Sequence, residues 1–158
     1  MPEAVEQAKA EYTRVTSRIT KGLKATPEDK LNWAPSDTAR TPVQLAAHAA
    51  MATEGIAGML QGKSRPSMSI EEMDRAMRAA EKEFTSAEQA LGLLESTSAA
   101  YFAWLDTLTD EQLATIVELP FGPMPLAVAI TIPADHARQH ASQLEYVQTI
   151  YGDYEWRF

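Results

Sequence analysis

The sequence predicts an all-α protein: a four-helix bundle with an extra short helix and a proline-rich connector before the last helix. In four long segments, apolar residues recur every three or four positions, which is the period of an amphipathic helix. Several of these segments begin with Ser or Thr followed three residues later by Glu or Gln, the pattern of a helix-capping box. The composition is rich in Ala, Leu, Met, Glu and Gln, which favours helix over sheet. A length of 158 residues predicts one domain, spanning 1–158.

The first helix is predicted over residues 3 to about 24. Its apolar positions are Val5, Ala8, Tyr12, Val15, Ile19 and Leu23. Thr26 and Pro27 then fit the cap and first position of a short helical turn. In the loop that follows, we expect Trp33 to pack against the core.

The second helix is predicted over residues 42 to about 61. Thr41 can cap it, Pro42 fits its first turn, and Gln44 completes the capping box. Its second turn carries His48 within an apolar stretch. Ala52 and Gly55 lie on the same face; they either leave space beside His48 or permit close helix packing.

A charged helix should begin after the capping box of Ser69 and Glu72 and run to about Phe84. Its predicted apolar stripe consists of Met73, Met77, Ala80 and Phe84. Thr85 and Ser86 favour a break. The pattern then resumes as another helix that continues through Leu108.

The region before the last helix is the least regular part of the chain. Thr109 caps a predicted short helical turn that contains Leu113 and Ile116, and residues 119–125 hold three prolines and a glycine. Residues 126–132 are predicted to be helical and to continue, through a kink at Pro133, into the last helix. That helix should end near Gly152. We expect the aromatic tail, residues 153–158, to fold back or to enter a dimer contact.

Charge and composition exclude several classes of function. A net charge of −8 disfavours binding to nucleic acid and to an anionic membrane surface. There is no cysteine, which excludes disulfides, thiolate metal ligands and cysteine nucleophiles. No apolar run approaches the ~20 residues that a membrane span needs. The acidic N-terminus does not resemble a signal peptide, so we expect a cytoplasmic protein.

The three histidines are the candidate metal ligands. His136 and His140 lie four residues apart, so both imidazoles should project from one face of the last helix. The remaining histidine, His48, also lies on a predicted inward face. Three histidines that converge could bind one divalent metal and leave a position open for water or substrate, as in catalytic zinc sites. From spacing alone, three hydrogen-bonded core histidines are an equally good interpretation.

The sequence does not identify a general base. Zincins place Glu directly after the first histidine, where this chain has Ala137. Asp135 and Glu54 are the nearest carboxylates in sequence, and each also fits a solvated position. Gln143, one turn beyond His140, could hydrogen-bond a ring nitrogen or a bound ligand, or could be a plain amide at the edge of the core.

Three motifs resemble the DinB/YfiT-like family of metalloenzymes. The motifs are the Trp-x-Pro turn at 33–35, the histidine-bearing helix start at 41–48, and His-x-x-x-His-x-x-Gln-Leu at 136–144. Their order and spacing agree with the family across most of the chain, while residues 63–120 carry no motif. The chain departs from the family pattern at Ala141, where Arg or Gly is common.

The resemblance implies a four-helix bundle with a divalent metal, zinc or nickel, held by His48, His136 and His140. It implies an enzyme that transfers a low-molecular-weight thiol, such as mycothiol or bacillithiol, to a small electrophile. A metal-dependent hydrolase and a non-catalytic metal-binding or oligomeric bundle are the alternatives. Family members are often dimeric, so the resemblance also implies a homodimer. The family's name implies no binding to DNA.

Overall fold

The computed structural model describes residues 1–63 and 67–157. These residues contain seven α-helices, one 3-10 turn and one small β-hairpin. In order they are α1 (Glu3–Ala25), a 3-10 turn (Glu28–Lys30), α2 (Pro42–Leu60), α3 (Ile70–Glu81), α4 (Ala87–Leu105), α5 (Asp110–Leu113), β1 (Ile116–Val117), β2 (Met124–Pro125), α6 (Leu126–Ala129) and α7 (Ile132–Ile150). The predicted all-α fold class is confirmed.

Helices α1, α2, α4 and α7 form a four-helix bundle. Helix α7 packs against both α1 and α2, α2 packs against α4, and α1 contacts α4 more lightly. The buried apolar residues of these helices join one continuous core, from Val5 to Val147. Helix α3 lies outside this ring and contacts α2. Of the helices in the described residues, none is both long and apolar enough to cross a membrane.

The helix starts predicted from capping boxes are confirmed. Thr41 with Gln44, Ser69 with Glu72, Ser86 with Gln89, and Thr109 with Gln112 each form both bonds of the box. Each box satisfies backbone N–H groups that have no partner inside the helix. The predicted break near Thr85 is therefore real, because Ser86 caps a new helix.

The predicted continuous helix from Leu126 through a kink at Pro133 is wrong. The chain forms α6, leaves the helical path at Ile130 and Thr131, and starts α7 at Ile132. Pro133 is the second residue of α7, where its missing N–H needs no partner and its ring meets no preceding turn. The first turn of a new helix thus accommodates the proline better than the interior of a bent helix would.

Three further boundaries differ from the sequence prediction. Helix α4 ends at Leu105, three residues before the predicted Leu108. Ile116 belongs to β1, which pairs antiparallel with β2 across the proline-rich connector, and not to a helical turn. Helix α3 ends at Glu81, and its predicted apolar stripe is only partly buried: Met73 is exposed, whereas Phe84, just beyond the helix, packs against the core.

Candidate metal centre

Neighbouring helices α2 and α7 bring the three histidines together. His48 lies in the second turn of α2, and His136 and His140 lie in the first half of α7. Both helices carry buried alanines, which permit close approach of the helix axes. These alanines are Ala46, Ala47, Ala49 and Ala50 on α2, and Ala134, Ala137 and Ala141 on α7.

The three imidazoles point their Nε2 atoms toward one another. The Nε2 atom of His136 lies 3.3 Å from that of His48 and 3.0 Å from that of His140. The ring centroids are 4.4 Å apart for His48 and His140, and 4.6 Å apart for His136 and His140. Within the described residues, these histidines are the one group of His, Cys, Asp or Glu side chains whose geometry could hold a metal ion.

Two of the rings are fixed from outside by oxygen acceptors. His48 donates its Nδ1–H to Oε1 of Glu81 at 2.6 Å, and His140 donates its Nδ1–H to Oε1 of Gln143 at 2.8 Å. A carboxylate or amide oxygen can only accept, so each Nδ1 carries the proton. The lone pair of each Nε2 then faces the centre of the cluster, as metal ligation requires.

Glu81 is a buried carboxylate that an arginine neutralises. The side chain of Glu81 is 2 % exposed, and Arg40 binds both of its oxygens, with Nε at 2.7 Å and Nη2 at 3.0 Å. Burial alone would raise the pKa of Glu81, but hydrogen bonds from His48 and Arg40 hold that pKa below its ordinary value. Glu81 is therefore an ionised acceptor at neutral pH.

Burial keeps the two histidines of α7 neutral. Desolvation, helped by the neighbouring His48 and His136, lowers the pKa of His140 to about 4, although the bond to Gln143 opposes this. Desolvation, His48 and Arg40 also lower the pKa of His136. Both imidazoles are thus unprotonated at pH 7, which is the form that binds a metal.

The donor set fits a divalent transition metal. Tetrahedral coordination with Zn–N bonds of 2.0–2.1 Å separates two ligand nitrogens by about 3.3 Å, close to the 3.0 and 3.3 Å between the Nε2 atoms. Facing lone pairs repel unless a cation or a proton lies between them. Imidazole nitrogen suits zinc, nickel, copper and iron better than calcium or magnesium.

The other residues singled out in the sequence have different roles. Gln143 bonds a ring nitrogen of His140, one of the roles considered for it. Asp135 is exposed and pairs with Arg138, and Glu54 is also exposed, so neither carboxylate touches the cluster. Trp33 packs against the core and meets Tyr151 edge-on, as expected. Glu81 was missed, because nothing in its local sequence links it to His48.

An open cleft lies behind the outer partners of the histidine cluster, and the three histidines themselves do not line it. Its volume is about 540 Å³, within the range of small-molecule sites. Its walls include Gln143 and Arg40, which bond His140 and Glu81 respectively. Leu45 and Val147 contribute apolar surface, and Arg78 adds a second guanidinium.

Fold and site together define a class: a helical bundle with a candidate three-histidine metal centre between two adjacent helices. The chain belongs to the DinB superfamily, whose family model matches residues 11–144. No match was found among curated proteins. The predicted membership of a DinB/YfiT-like family is confirmed.

Solved structures share the fold at low sequence identity. YfiT from Bacillus subtilis, described as a probable metal-dependent hydrolase with an unusual four-helix bundle topology, is 16% identical with a TM-score of 0.71, over 96% of this chain and 90% of YfiT. The mycothiol-dependent maleylpyruvate isomerase is 15% identical with a TM-score of 0.70, over 91% of this chain but 61% of the isomerase. The colibactin self-resistance protein ClbS, solved in complex with a dsDNA, is 13% identical with a TM-score of 0.70, over 94% of this chain and 98% of ClbS.

Proposed function

We propose that this protein is a divalent-metal-dependent enzyme whose metal ligands are His48, His136 and His140. One observation carries the proposal: three Nε2 atoms converge while Nδ1 of His48 and of His140 is bonded to an outside oxygen. This choice of tautomer directs the Nε2 lone pairs of His48 and His140 at one shared centre, where a metal ion could accept them. Zinc and nickel are the expected metals, as the family resemblance implies, and both accept imidazole nitrogen.

The proposed reaction is transfer of a low-molecular-weight thiol to a small electrophile. A divalent ion held by uncharged ligands keeps its full charge and would lower the pKa of a thiol or of water beside it. In such a transfer the thiol would release its proton to solvent, its sulfur would bond to the electrophilic carbon, and the leaving group would depart with the electron pair of the broken bond. The structural likeness to a mycothiol-dependent isomerase supports a thiol co-substrate.

Each protein group in the site has a separate role in this proposal. His136 and His140 stay unprotonated at neutral pH and so remain free to bind the ion. Glu81 and Gln143 orient His48 and His140 through their Nδ1–H groups. The cleft behind Gln143 and Arg40, with apolar walls and two guanidiniums, has the volume of a small-molecule site, and Gln143 connects it to His140.

Hydrolysis is the second candidate reaction, because YfiT has the same fold and is described as a probable metal-dependent hydrolase. The same site would then act on water instead of a thiol. A non-catalytic metal-binding or oligomeric bundle is the third candidate. A homodimer, a single domain and a cytoplasmic location stay predictions.

Small molecules are the proposed partners, and nucleic acid is not. The chain has 14 Lys and Arg residues against 22 Asp and Glu residues. Phosphate backbones bind clustered positive charge, which this balance opposes. ClbS shows that a protein of this fold can contact DNA, so the expectation needs its own test.

Metal titration tests the proposed site. Untagged protein, stripped with a chelator, should bind one equivalent of Zn²⁺ or Ni²⁺ per chain in calorimetry. His136→Ala and His140→Ala should each abolish stoichiometric binding while the circular dichroism stays near wild type. Gln139→Ala, an exposed change on the same helix, is the matched control and should bind like wild type. One-to-one binding retained in both histidine variants would overturn the proposed ligand set.

Activity assays then separate the two reactions. Metal-loaded protein is mixed with mycothiol or bacillithiol and a panel of electrophiles, and thiol consumption is followed. A parallel panel of esters and amides is followed without thiol. We expect thiol consumption that His140→Ala lacks; turnover of the esters alone would favour the hydrolase. Turnover of neither panel by metal-loaded protein would favour the non-catalytic bundle.

A further inference from the structure

Helix α3 differs from the bundle helices in how it is attached to the molecule. Of its twelve residues, all described, Glu81 alone is buried. Ile70 and Met73, which a hydrophobically docked helix would bury, are 82% and 41% exposed. The usual driving force for packing a helix, burial of an apolar stripe, is therefore small for α3.

Polar contacts hold α3 to the segment just before α2 and to His48. Glu81 accepts bonds from His48 and Arg40. Arg78 donates to the carbonyl of Thr38 at 3.0 Å, and Asp74 lies 3.6 Å from Arg40. The most deeply buried of these contacts, Glu81 with His48, ends at the candidate metal site.

The bond between His48 and Glu81 joins two separate elements, and this makes it different from the bond between His140 and Gln143. His140 and Gln143 lie on the same helix, three residues apart, so their bond orients a ring but attaches nothing else. Glu81 lies on α3, 33 residues from His48 on α2. Whatever strengthens the bond between His48 and Glu81 therefore also strengthens the attachment of α3.

We propose that Glu81, held in place by Arg40, is the positioning residue of the metal site, and that metal binding and the docking of α3 stabilise each other. Ligation at Nε2 of His48 fixes the proton on Nδ1 and makes that N–H a stronger donor to Glu81. By thermodynamic reciprocity, a docked Glu81 that orients His48 must raise the affinity for the metal by the same factor. This inference rests on the proposed metal site.

Calorimetry on two isosteric variants tests the first half of the proposal. Glu81→Gln keeps the size of the side chain but removes its charge, and should bind Zn²⁺ about 10- to 100-fold more weakly than wild type, as is usual when an outer partner of a metal-bound histidine is changed. Glu83→Gln, an exposed change two residues away, is the matched control and should bind like wild type. In the Co²⁺-loaded proteins, the visible absorption bands should shift in Glu81→Gln only, because a purely structural role would leave them unchanged.

Hydrogen exchange tests the second half of the proposal, that metal binding stabilises the docking of α3. Its main measurement is made on the wild-type protein. Amides of α3, residues 70–81, should exchange more slowly after addition of one equivalent of Zn²⁺, and this protection should be lost in Glu81→Gln. Amides in the middle of α1 serve as the internal reference.

The outcomes separate this inference from the proposed function. If wild type binds one equivalent through the three histidines, but Glu81→Gln has unchanged affinity and α3 exchange does not respond to metal, the coupling is wrong and the metal site stands. If wild type binds no metal, both proposals fall. Weakened binding in Glu81→Gln together with metal-dependent protection of α3 supports the coupling.

Discussion

At the scale of single residues, the candidate site depends on which ring nitrogen carries the proton. A neutral imidazole has one N–H and one lone pair. Glu81 and Gln143 place oxygen acceptors at Nδ1 of His48 and of His140, and so direct the lone pair of each Nε2 inward. Burial meanwhile lowers the pKa of His140 and of His136, so both imidazoles are unprotonated at neutral pH.

The depressed pKa of His140 predicts how the stability of the metal-free protein depends on pH. The pKa of a histidine is about 6.5 in an unfolded chain and about 4 for His140 in the folded one. Between these values the unfolded state binds a proton that the native state does not. The free energy of unfolding is therefore highest above pH 6.5 and falls as the pH drops toward 4, by up to about 3 kcal/mol. The lowered pKa of His136 acts in the same direction.

Urea denaturation of chelator-treated protein, at pH values from about 7 to about 4.5, measures this effect. His140→Leu, which cannot titrate, should show a shallower loss of stability over the same range. Comparing the two proteins cancels the contribution of the carboxylates to the pH dependence, because they titrate in both proteins. Equal slopes would show that His140 takes up its proton at the same pH in the folded and unfolded states.

Residue identity pointed to the three candidate ligands but not to the carboxylate that bonds one of them. His48, His136 and His140 are the three histidines of the chain, and helical spacing alone places two of them on one face. Glu81 is one acidic residue among several on a charged helix, and its contact with His48 spans 33 residues. The carboxylates nearest in sequence, Asp135 and Glu54, are both exposed. Sequence proximity could not reveal a contact that arises only from tertiary packing.

At the scale of elements, helix starts were predictable because a capping box is a local structure. Its two bonds join residues three apart, so the sequence contains all of its parts. The break between α6 and α7 was not predictable in this way. The carbonyl of Ile130 lies at that break, and it accepts a bond from the hydroxyl of Tyr101, a residue of α4. A distant side chain thus replaces the helical partner that this carbonyl lacks.

Removing that hydroxyl should destabilise the protein. Tyr101→Phe leaves the buried carbonyl of Ile130 without this donor, and should lower the free energy of unfolding by about 1–3 kcal/mol. Denaturant unfolding measures the change. Tyr146→Phe, which alters an exposed tyrosine, is the control and should be near neutral. If Tyr101→Phe matched this control, the hydroxyl would not be needed to hold the break between α6 and α7.

At the scale of the whole molecule, three ion pairs across the bundle engage basic side chains. Lys9 of α1 pairs with Asp106 after α4, and Arg18 of α1 pairs with Glu145 of α7. Arg138 of α7 bonds Glu11 of α1. These pairs cross the contacts among α1, α4 and α7 and neutralise cations that a polyanion would otherwise meet. Their effect adds to that of a net charge of −8, which already disfavours a polyanion.

This charge distribution predicts that the protein does not bind double-stranded DNA, although ClbS, which shares the fold, was solved in complex with a dsDNA. Non-specific binding to DNA has dissociation constants of about 10⁻⁴ to 10⁻⁶ M at physiological salt and depends on releasing counterions from phosphates. Fluorescence anisotropy of a labelled duplex of about 20 base pairs, with protein at up to about 100 μM and in about 0.15 M salt, covers that range. We expect no change in anisotropy with metal-free or metal-loaded protein, and ClbS is the positive control. Saturable binding that weakens steeply as salt is raised would contradict the prediction, because it would require a basic surface strong enough to overcome the net charge.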